Sequence, residues 1–323
     1  MPERVEGLPV VSVVTAVHNG RAELRESLES VLGQEGPCLE LIVVDDGSTD
    51  GSSEVLASLA AYDSRVRVFT QENRGLTEAL IRGCAEARGE FIARHDADDL
   101  SLPGRLAQQI EYLRRESALA FVSCWTRAQG PSGETLWETR PATNAREAAD
   151  ELAAGGLGPP HHGSVVFRRD AYRRAGGYRA AFYFGQDNDL WLRLLEQGGY
   201  AVAPEILYSF RIRVTSISAT RSRTQRRYGH LAHACRRARL AGESEEPFLA
   251  EAASLRPSGH DDQRAENPLA GSYFIARCLV ARRNPRAILY LGRAVRQYPT
   301  NTRVWLGVLG SLLELPMRLL IGR

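Results

Sequence analysis

"FIARHDADDLSLPGRL", residues 91–106, sets an apolar run directly against three carboxylates within four positions. Phe91 to Ala93 read as the end of a buried strand, and Pro103 stands where a helix can begin. Asp96, Asp98 and Asp99 repel one another at this spacing, and burial beside a sheet end would raise their pKa values. Something positive is therefore expected to meet them, and a divalent metal that itself holds a phosphate meets that need. The plainer alternative is that the acids cap a helix over 103–116, although one cap does not need three acids.

The same grammar recurs upstream. "PVVSVVTAV" (9–17) is a β-branched run suited to a strand buried on both faces, followed by Leu24, Leu28, Val31 and Leu32 at helical spacing. "LELIVVDDGSTD" is again a strand ending in carboxylates, with Ser and Thr placed to cap a helix over 52–61. "RVRVFT" reads as a third strand, "GLTEALIRGCAEARG" as a helix ending at Gly89, and "EFIARH" as the fourth strand. This alternation predicts a mostly parallel α/β sheet with helices on both faces, and ligands in such sheets bind beyond the carboxyl ends of the strands. Asp45, Asp46, Asp96 and Asp98 all fall at such ends.

Beyond about Ala120 the alternation loosens. "GGLGPPHHG" (155–163) is a loop, "SVVF" a short strand, "DNDLWLRLLEQG" (187–198) an amphipathic helix that starts on acids, and "ILYSFRIRV" a closing strand. After about Thr220 strand signals end, which sets a domain of residues 1–220 before a small all-helical region, 221–323. Within it, 268–299 reads as two helices around Asn284-Pro285.

All 41 basic residues are arginine, so chemistry that needs a P-loop or Schiff-base lysine is excluded. A formal net charge of +2 gives no general reason to expect nucleic-acid binding. The five cysteines lie far apart without a CxxC pair, as expected of free thiols in a reducing compartment. The N-terminal stretch has charges of both signs and no signal-peptide pattern, and no run reaches the roughly 18 apolar residues needed to cross a membrane. A cytoplasmic protein is expected.

"VSVVTAVHNG", "LIVVDDGSTDGS", "NRGLTEAL", "ARGEFIARHDADDLSLPGRL", "HHGSVVFRR" and "QDNDLWLRL" follow one another in the order seen in family 2 glycosyltransferases of the GT-A fold. The resemblance covers roughly residues 9 to 220. It implies transfer of a sugar, with inversion, from a nucleotide-sugar to an acceptor hydroxyl, and a cofactor of Mg²⁺ or Mn²⁺. Asp98 matches the metal ligand of the family's D-x-D element, and Asp96 its first acid, near the ribose or the metal. Asp45 and Asp46 match the acids that approach the base and ribose of the donor, with Asp46 the better match for the base. Ala16, His18, His162 and Arg211 fall at matching donor-site positions, His18 where the family often has tyrosine. Asp187 matches the catalytic base, with Gln186 in place of the usual Glu. Asp189, about 200° round the same helix, is the neighbouring alternative. Arg213 stands at a family histidine position, and Ile81 where a related subgroup commonly has Asn. The Gln-x-x-Arg-Trp element and membrane spans of processive synthases are missing, which implies single addition.

The expected partners are a nucleotide-sugar, with uridine diphosphate the default, and a glycan or lipid-linked acceptor. Two other enzyme classes fit less well. A nucleotidyltransferase typically needs a lysine-bearing glycine-rich loop after the first strand, and a haloacid-dehalogenase-type phosphatase wants Thr or Val where Leu100 sits. A catalytically inactive nucleotide-sugar-binding module acting through its helical tail is the rival from a different class, prompted by Gln186 and Ile81. Near the C-terminus, Trp305, Leu306, Leu309, Leu312 and Leu313 cluster around a helix with Arg318 and Arg323 beyond, and the arginine run at 221–239 adds charge. That pattern allows peripheral contact with an anionic membrane, against ordinary packing of a terminal helix.

Overall fold

In the computed structural model, which describes residues 9–156, 158–212, 222–256, 272–297, 299–300, 302 and 305–312, four parallel strands form one half of the sheet. They are β1 (Val11–Val17), β2 (Leu39–Asp46), β3 (Val66–Gln71) and β4 (Phe91–Arg94). The helices between them are α1 (Arg21–Leu32), α2 (Ser52–Tyr62) and α3 (Leu76–Ala85). Register runs Val17 to Asp45 and Asp46 to Gln71, so the carboxyl ends of β1, β2 and β3 finish at one edge.

The remaining strands are β5 (Leu100–Ser101), β6 (Leu119–Gln129), β7 (Thr135–Thr139), β8 (Val166–Arg168) and β9 (Gly199–Arg211). The sheet order is β3-β2-β1-β4-β8-β6-β9-β5, with β7 on β6. β8 runs antiparallel to both β4 and β6, and β5 antiparallel to β9. The periodicity that reads as loosening after Ala120 is this change of strand direction. Helices α4 (Arg105–Arg115), α5 (Ala145–Ala153), α6 (Arg169–Arg174) and α7 (Gln186–Leu195) lie between these strands.

Strand alternation divides the core in two. Val13, Leu41, Val43 and Ala93 pack with Leu24 and Leu28 of α1, Leu56 of α2 and Ile110 of α4. Val14, Ile42 and Ile92 pack with Leu80 of α3 and, farther along the same cluster, with Leu190 and Trp191 of α7.

Two local expectations change. Ser and Thr do not cap α2: its N-cap is Gly51, and Asp50 Oδ1 accepts the Ser52 N–H at 3.0 Å instead. α3 stops at Ala85 rather than Gly89, because the buried Ser12–Glu40 pair captures the next amides: Ser12 Oγ accepts from Gly89 N (2.8 Å) and Glu40 from Arg88 N (2.9 Å).

The chain forms two compact units. One comprises Met1–Thr126, Thr139–Phe210 and Arg226–Arg256, and the other Arg127–Glu138, Arg211–Gln225 and Pro257–Arg323. The expected break at 220/221 lies outside the described residues. Helices α8 (Ser222–Ala241) and α9 (Glu246–Ser254) follow it, yet residues 226–256 group with the first unit. Tyr228, Leu231 and Cys235 share a core with Leu190 of α7, which explains that grouping. In the second unit, α10 (Ser272–Ala281) and α11 (Ala287–Gln297) form the expected pair around Asn284-Pro285. Tyr290 Oη donates to Glu134 at 3.2 Å, tying α11 to residues 127–138.

Candidate active site

At the end of β2, both oxygens of the buried Asp46 carboxylate are engaged. Oδ1 accepts from Gln71 Nε2 (2.8 Å) and Arg74 N (2.9 Å), and Oδ2 from Gly75 N (2.8 Å). Gly75 takes φ +92 there, a conformation that favours glycine. Asp46 therefore shapes the 71–75 loop. Asp45 likewise holds Ser48 N at 3.0 Å and Ser53 Oγ at 2.5 Å. His18 is exposed beside them, with Nδ1 2.9 Å from the Asp46 carbonyl oxygen and Nε2 3.1 Å from Asn73 Nδ2. Ala16, on β1, is partly buried.

The acids of the turn after β4 sit on a cationic platform. Arg94 and Arg105 are both fully buried. Arg94 donates to Val14 O (2.6 Å) and His95 O (2.9 Å) and pairs with Asp96. Burial alone would raise the Asp96 carboxyl, but Arg94 and then His161 outweigh it and hold the group below the usual carboxylate range. Arg105 donates to Arg94 O, Gly163 O and Ser101 Oγ, each at 2.7 Å, and lies 4.8 Å from the Tyr208 ring centroid. His95 is buried between Ser27 and Ser101, and burial takes its pKa down to about 3, so it is a neutral strut.

Tyr208, from β9, joins the ends of the acidic turn. Its Oη accepts from Asp96 N (3.1 Å) and donates to Asp99 Oδ2 (2.9 Å). His161 stacks on Phe210 (4.5 Å between centroids) and on Tyr208 (5.5 Å). Its Nδ1 lies 3.7 Å from Asp96 Oδ2 and 3.6 Å from Asp99 Oδ2. Asp96, Asp99 and His161 thus present ligand atoms within 4.8 Å of one another. Two carboxylates and an imidazole suit a divalent cation of the Mn²⁺ type. Asp98, the expected ligand, is partly buried in the same turn but is not one of this trio. α4 has Gly104 as its N-cap with no side-chain cap, and Gln34 Oε1 accepts the Leu106 N–H at 3.2 Å. The acids are not helix caps.

His162 turns into the protein. Arg94 Nε (3.4 Å) and Tyr178 Oη (2.7 Å) both reach its Nε2. Two donors on one nitrogen fit a neutral ring protonated at Nδ1, and burial followed by Arg94 keeps its pKa well below the ordinary value. Arg211 ends β9, partly exposed, and groups with the second unit. Arg213 lies outside the described residues.

Asp187 occupies the first turn of α7, behind Gly185 in the left-handed conformation (φ 65). Its Oδ1 accepts from Asn188 N at 2.8 Å. Burial raises its pKa, and the negative charge of Asp96 raises it further, so two acids 91 positions apart act on each other. Asp189 has a different fate. It is 1% exposed and ion-paired with Arg179 and with Arg193 (2.6 Å). Arg179 also meets Glu245 (2.7 Å), which binds Arg239 (2.5 Å), so Asp189 anchors α7 to α8. Within the arginine run at 221–239, Arg227 pairs with Glu251 and Arg239 with Glu196.

Sequence reasoning counted Asp99 among the acids that meet a cation but gave it no ligand role, and it passed over Arg94, Arg105, Tyr208 and His161. Only the doubled histidine before Gly163 signalled the last of these; the others carry their roles through contacts between distant segments.

A profile of Glycosyl transferase family 2 matches residues 12–176. EpsE of Bacillus subtilis, which bears the name of a glycosyltransferase, is 34% identical over 212 residues, 63% of this chain and 73% of that protein. The O-antigen biosynthesis glycosyltransferase WbnJ of Escherichia coli is 31% identical over 193 residues, 59% of this chain and 73% of its own. Among solved structures, the mannosyltransferase PcManGT from Pyrobaculum calidifontis, in complex with GDP-Man and Mn²⁺, aligns with a TM-score of 0.55 at 21% identity, covering 97% of this chain and 87% of that one. Residues 1–349 of S. aureus TarS in complex with UDP align at 0.54 and 15% identity, covering 89% and 88%. At such identities the structural likeness establishes the GT-A fold.

Proposed function

The chain belongs to glycosyl transferase family 2, and from that premise we propose that it transfers a sugar from a nucleotide-diphosphate sugar to an acceptor hydroxyl with inversion. The observation that carries this is the proximity of a partly buried carboxyl of raised pKa, Asp187 in the first turn of α7, to the Asp96 turn at the sheet edge, whose negative charge raises it further. An inverting transfer needs a base on the face opposite the leaving group. Asp187 takes the acceptor proton as the acceptor oxygen bonds to the anomeric carbon, and the bond from that carbon to the diphosphate oxygen breaks. Desolvation makes Asp187 a stronger base than an exposed carboxylate, while Arg94 keeps Asp96 ionised for its separate task.

Asp96, with Asp99 and His161 beside it and Asp98 in the same turn, would hold Mg²⁺ or Mn²⁺. Such an ion, when bound, neutralises the diphosphate and stabilises it as a leaving group. Asp45, Asp46 and His18 would approach the base and ribose of the donor, with Ala16, His162 and Arg211 as further donor-binding residues. Complexes of PcManGT with GDP-Man and TarS with UDP support a nucleotide-sugar donor. UDP-sugar is the default, and a glycan or lipid-linked acceptor of a cell-envelope pathway agrees with the WbnJ relationship. Among the described residues no helix is long and apolar enough to cross a membrane. Trp305, Leu306, Leu309 and Leu312 are exposed, and residues 272–312 carry seven arginines and no acid. This supports a peripheral contact with an anionic membrane surface, at the cytoplasmic face.

The test is to incubate the purified chain with UDP-, GDP- and dTDP-sugars and Mn²⁺ and to measure nucleoside diphosphate release. Turnover of one donor, lost in excess chelator, is expected. Saturable donor binding without release from any of them would leave a binding module instead.

A further inference from the structure

Two recesses in the first unit adjoin behind the base. One, of about 400 Å³, is lined by Asn188 and Trp191 of α7, the prolines Pro141, Pro159 and Pro160, and His233. Asn188 follows Asp187 directly and Trp191 lies one turn farther along α7, so this recess adjoins the helix turn that carries the base. The second, of about 550 Å³, shares Gly155 and His233 with the first and adds His230, Arg236 and Arg237. No acidic side chain lines either one.

His230, His233 and Arg236/Arg237 recur every three to four residues, so a single face of α8 presents four basic groups. Among the described residues nothing neutralises them fully. Arg236 Nε is buried without a hydrogen-bond acceptor, and Arg236 makes one bond of 3.4 Å to Ala153 O. Glu196, 4.0 Å away, already accepts from Arg239 with both oxygens, at 2.7 and 3.0 Å. Arg237 is exposed and makes no ion pair among the described residues. His233 stands over Gly155, with burial and then the two arginines opposing its protonation. Positive charge gathered at this cost to its members fits a site whose ligand supplies the negative charge.

We propose that this basic recess binds an oxyanion carried by the acceptor, a phosphate or carboxylate group, and that the recess lined by Asn188 and Trp191 seats the sugar whose hydroxyl meets Asp187. Guanidinium groups match the planar carboxylate and the phosphate oxygens alike. The assignment rests on the glycosyltransferase reading. A polyprenyl-diphosphate-linked sugar and an acidic polysaccharide both present such an oxyanion.

The experiment uses the full chain without metal, titrated with inorganic phosphate at constant ionic strength while the imidazole signals of His230 and His233 are followed by NMR. A saturable shift and a rise in the His233 pKa are expected, both lost in Arg236→Gln and in the exposed Arg237→Gln. No saturable shift, or the same shift in both variants, overturns the oxyanion site. In transfer assays, Arg237→Gln is expected to raise the acceptor KM about 10- to 100-fold, the weight of a charge-assisted contact, with kcat and donor KM kept. A prenyl-diphosphate-linked sugar and a uronic-acid oligosaccharide serve as acceptors, and the one whose KM responds identifies the source. A change in donor KM alone, or no change with either acceptor, overturns the acceptor role. If wild type turns over no donor while phosphate still titrates His233, the glycosyltransferase reading fails and the oxyanion site stands.

Discussion

Asp187 and Asp189 lie two residues apart on α7, and their conservative amides are expected to fail in opposite ways. Asp189→Asn leaves the guanidinium groups of Arg179 and Arg193 short of a charge in a site where Asp189 is 1% and Arg193 5% exposed. Breaking a buried pair from one side costs about 3–5 kcal/mol. At about 2–4 °C per kcal/mol for a unit of this size, Tm should fall by roughly 6–20 °C. Asp187→Asn removes a group whose folded pKa is raised, chiefly by burial. Such a carboxyl favours the fold when protonated and opposes it when ionised, so its removal should leave Tm at pH 8 unchanged or higher, and the gain should shrink as pH falls. Sugar transfer in Asp187→Asn should drop by about two to four orders of magnitude, the usual weight of a general base, with donor affinity kept. Differential scanning calorimetry at two pH values, donor titration and transfer rates on both variants provide the readings. Near-normal transfer in Asp187→Asn together with abolished transfer in a fully folded Asp189→Asn would refute the assignment of roles.

Asp96→Asn, Asp98→Asn and His161→Ala should each weaken Mn²⁺-dependent nucleoside diphosphate binding, measured by calorimetry; a loss confined to Asp96 and His161 would remove Asp98 from the ligand set. The kcat profile should fall on its acid side at a pH above the ordinary carboxylate range, since the raised pKa of Asp187 means the base is protonated, and lost, sooner as pH drops. A limb at an ordinary carboxylate pKa would argue against Asp187. A Cβ on Gly163 would lie 1.9 Å from Tyr208 Oη, so Gly163→Ala should push Tyr208 off Asp96 and Asp99 and weaken metal binding, an effect that Tyr208→Phe should share in part. The full chain should float with acidic liposomes at low salt and separate from them at high salt; no flotation at low salt ends the membrane reading.

The parallel half of the fold was legible because β1, β2 and β4 are buried along almost their whole length and Asp45, Asp46 and Asp96 lie at or just past strand ends. Runs such as "LIVVDD" state burial and boundary in one line. The antiparallel half was less so: β7 joins β6 across residues 130–134, while β6 meets β8 through Phe121–Phe167 and Val122–Val166 and meets β9 farther along the chain. In the candidate site, the place of Asp187 in the first turn of α7 could be read because the helix is amphipathic and starts on acids. His161 and Tyr208 could not, since their meeting with the acidic turn depends on β9 folding back beside β5. The break at 220 followed the loss of strand signals, and composition does not show that Tyr228 and Leu231 of α8 complete the core beneath α7.

The most direct measurement is the configuration of the sugar first released from the donor in Mn²⁺ and water, followed by NMR before mutarotation. A free sugar inverted at the anomeric carbon, formed by wild type and suppressed in Asp187→Asn, is the expected result. A retained configuration, or inverted product formed equally fast without Asp187, would contradict a single displacement driven by that carboxylate.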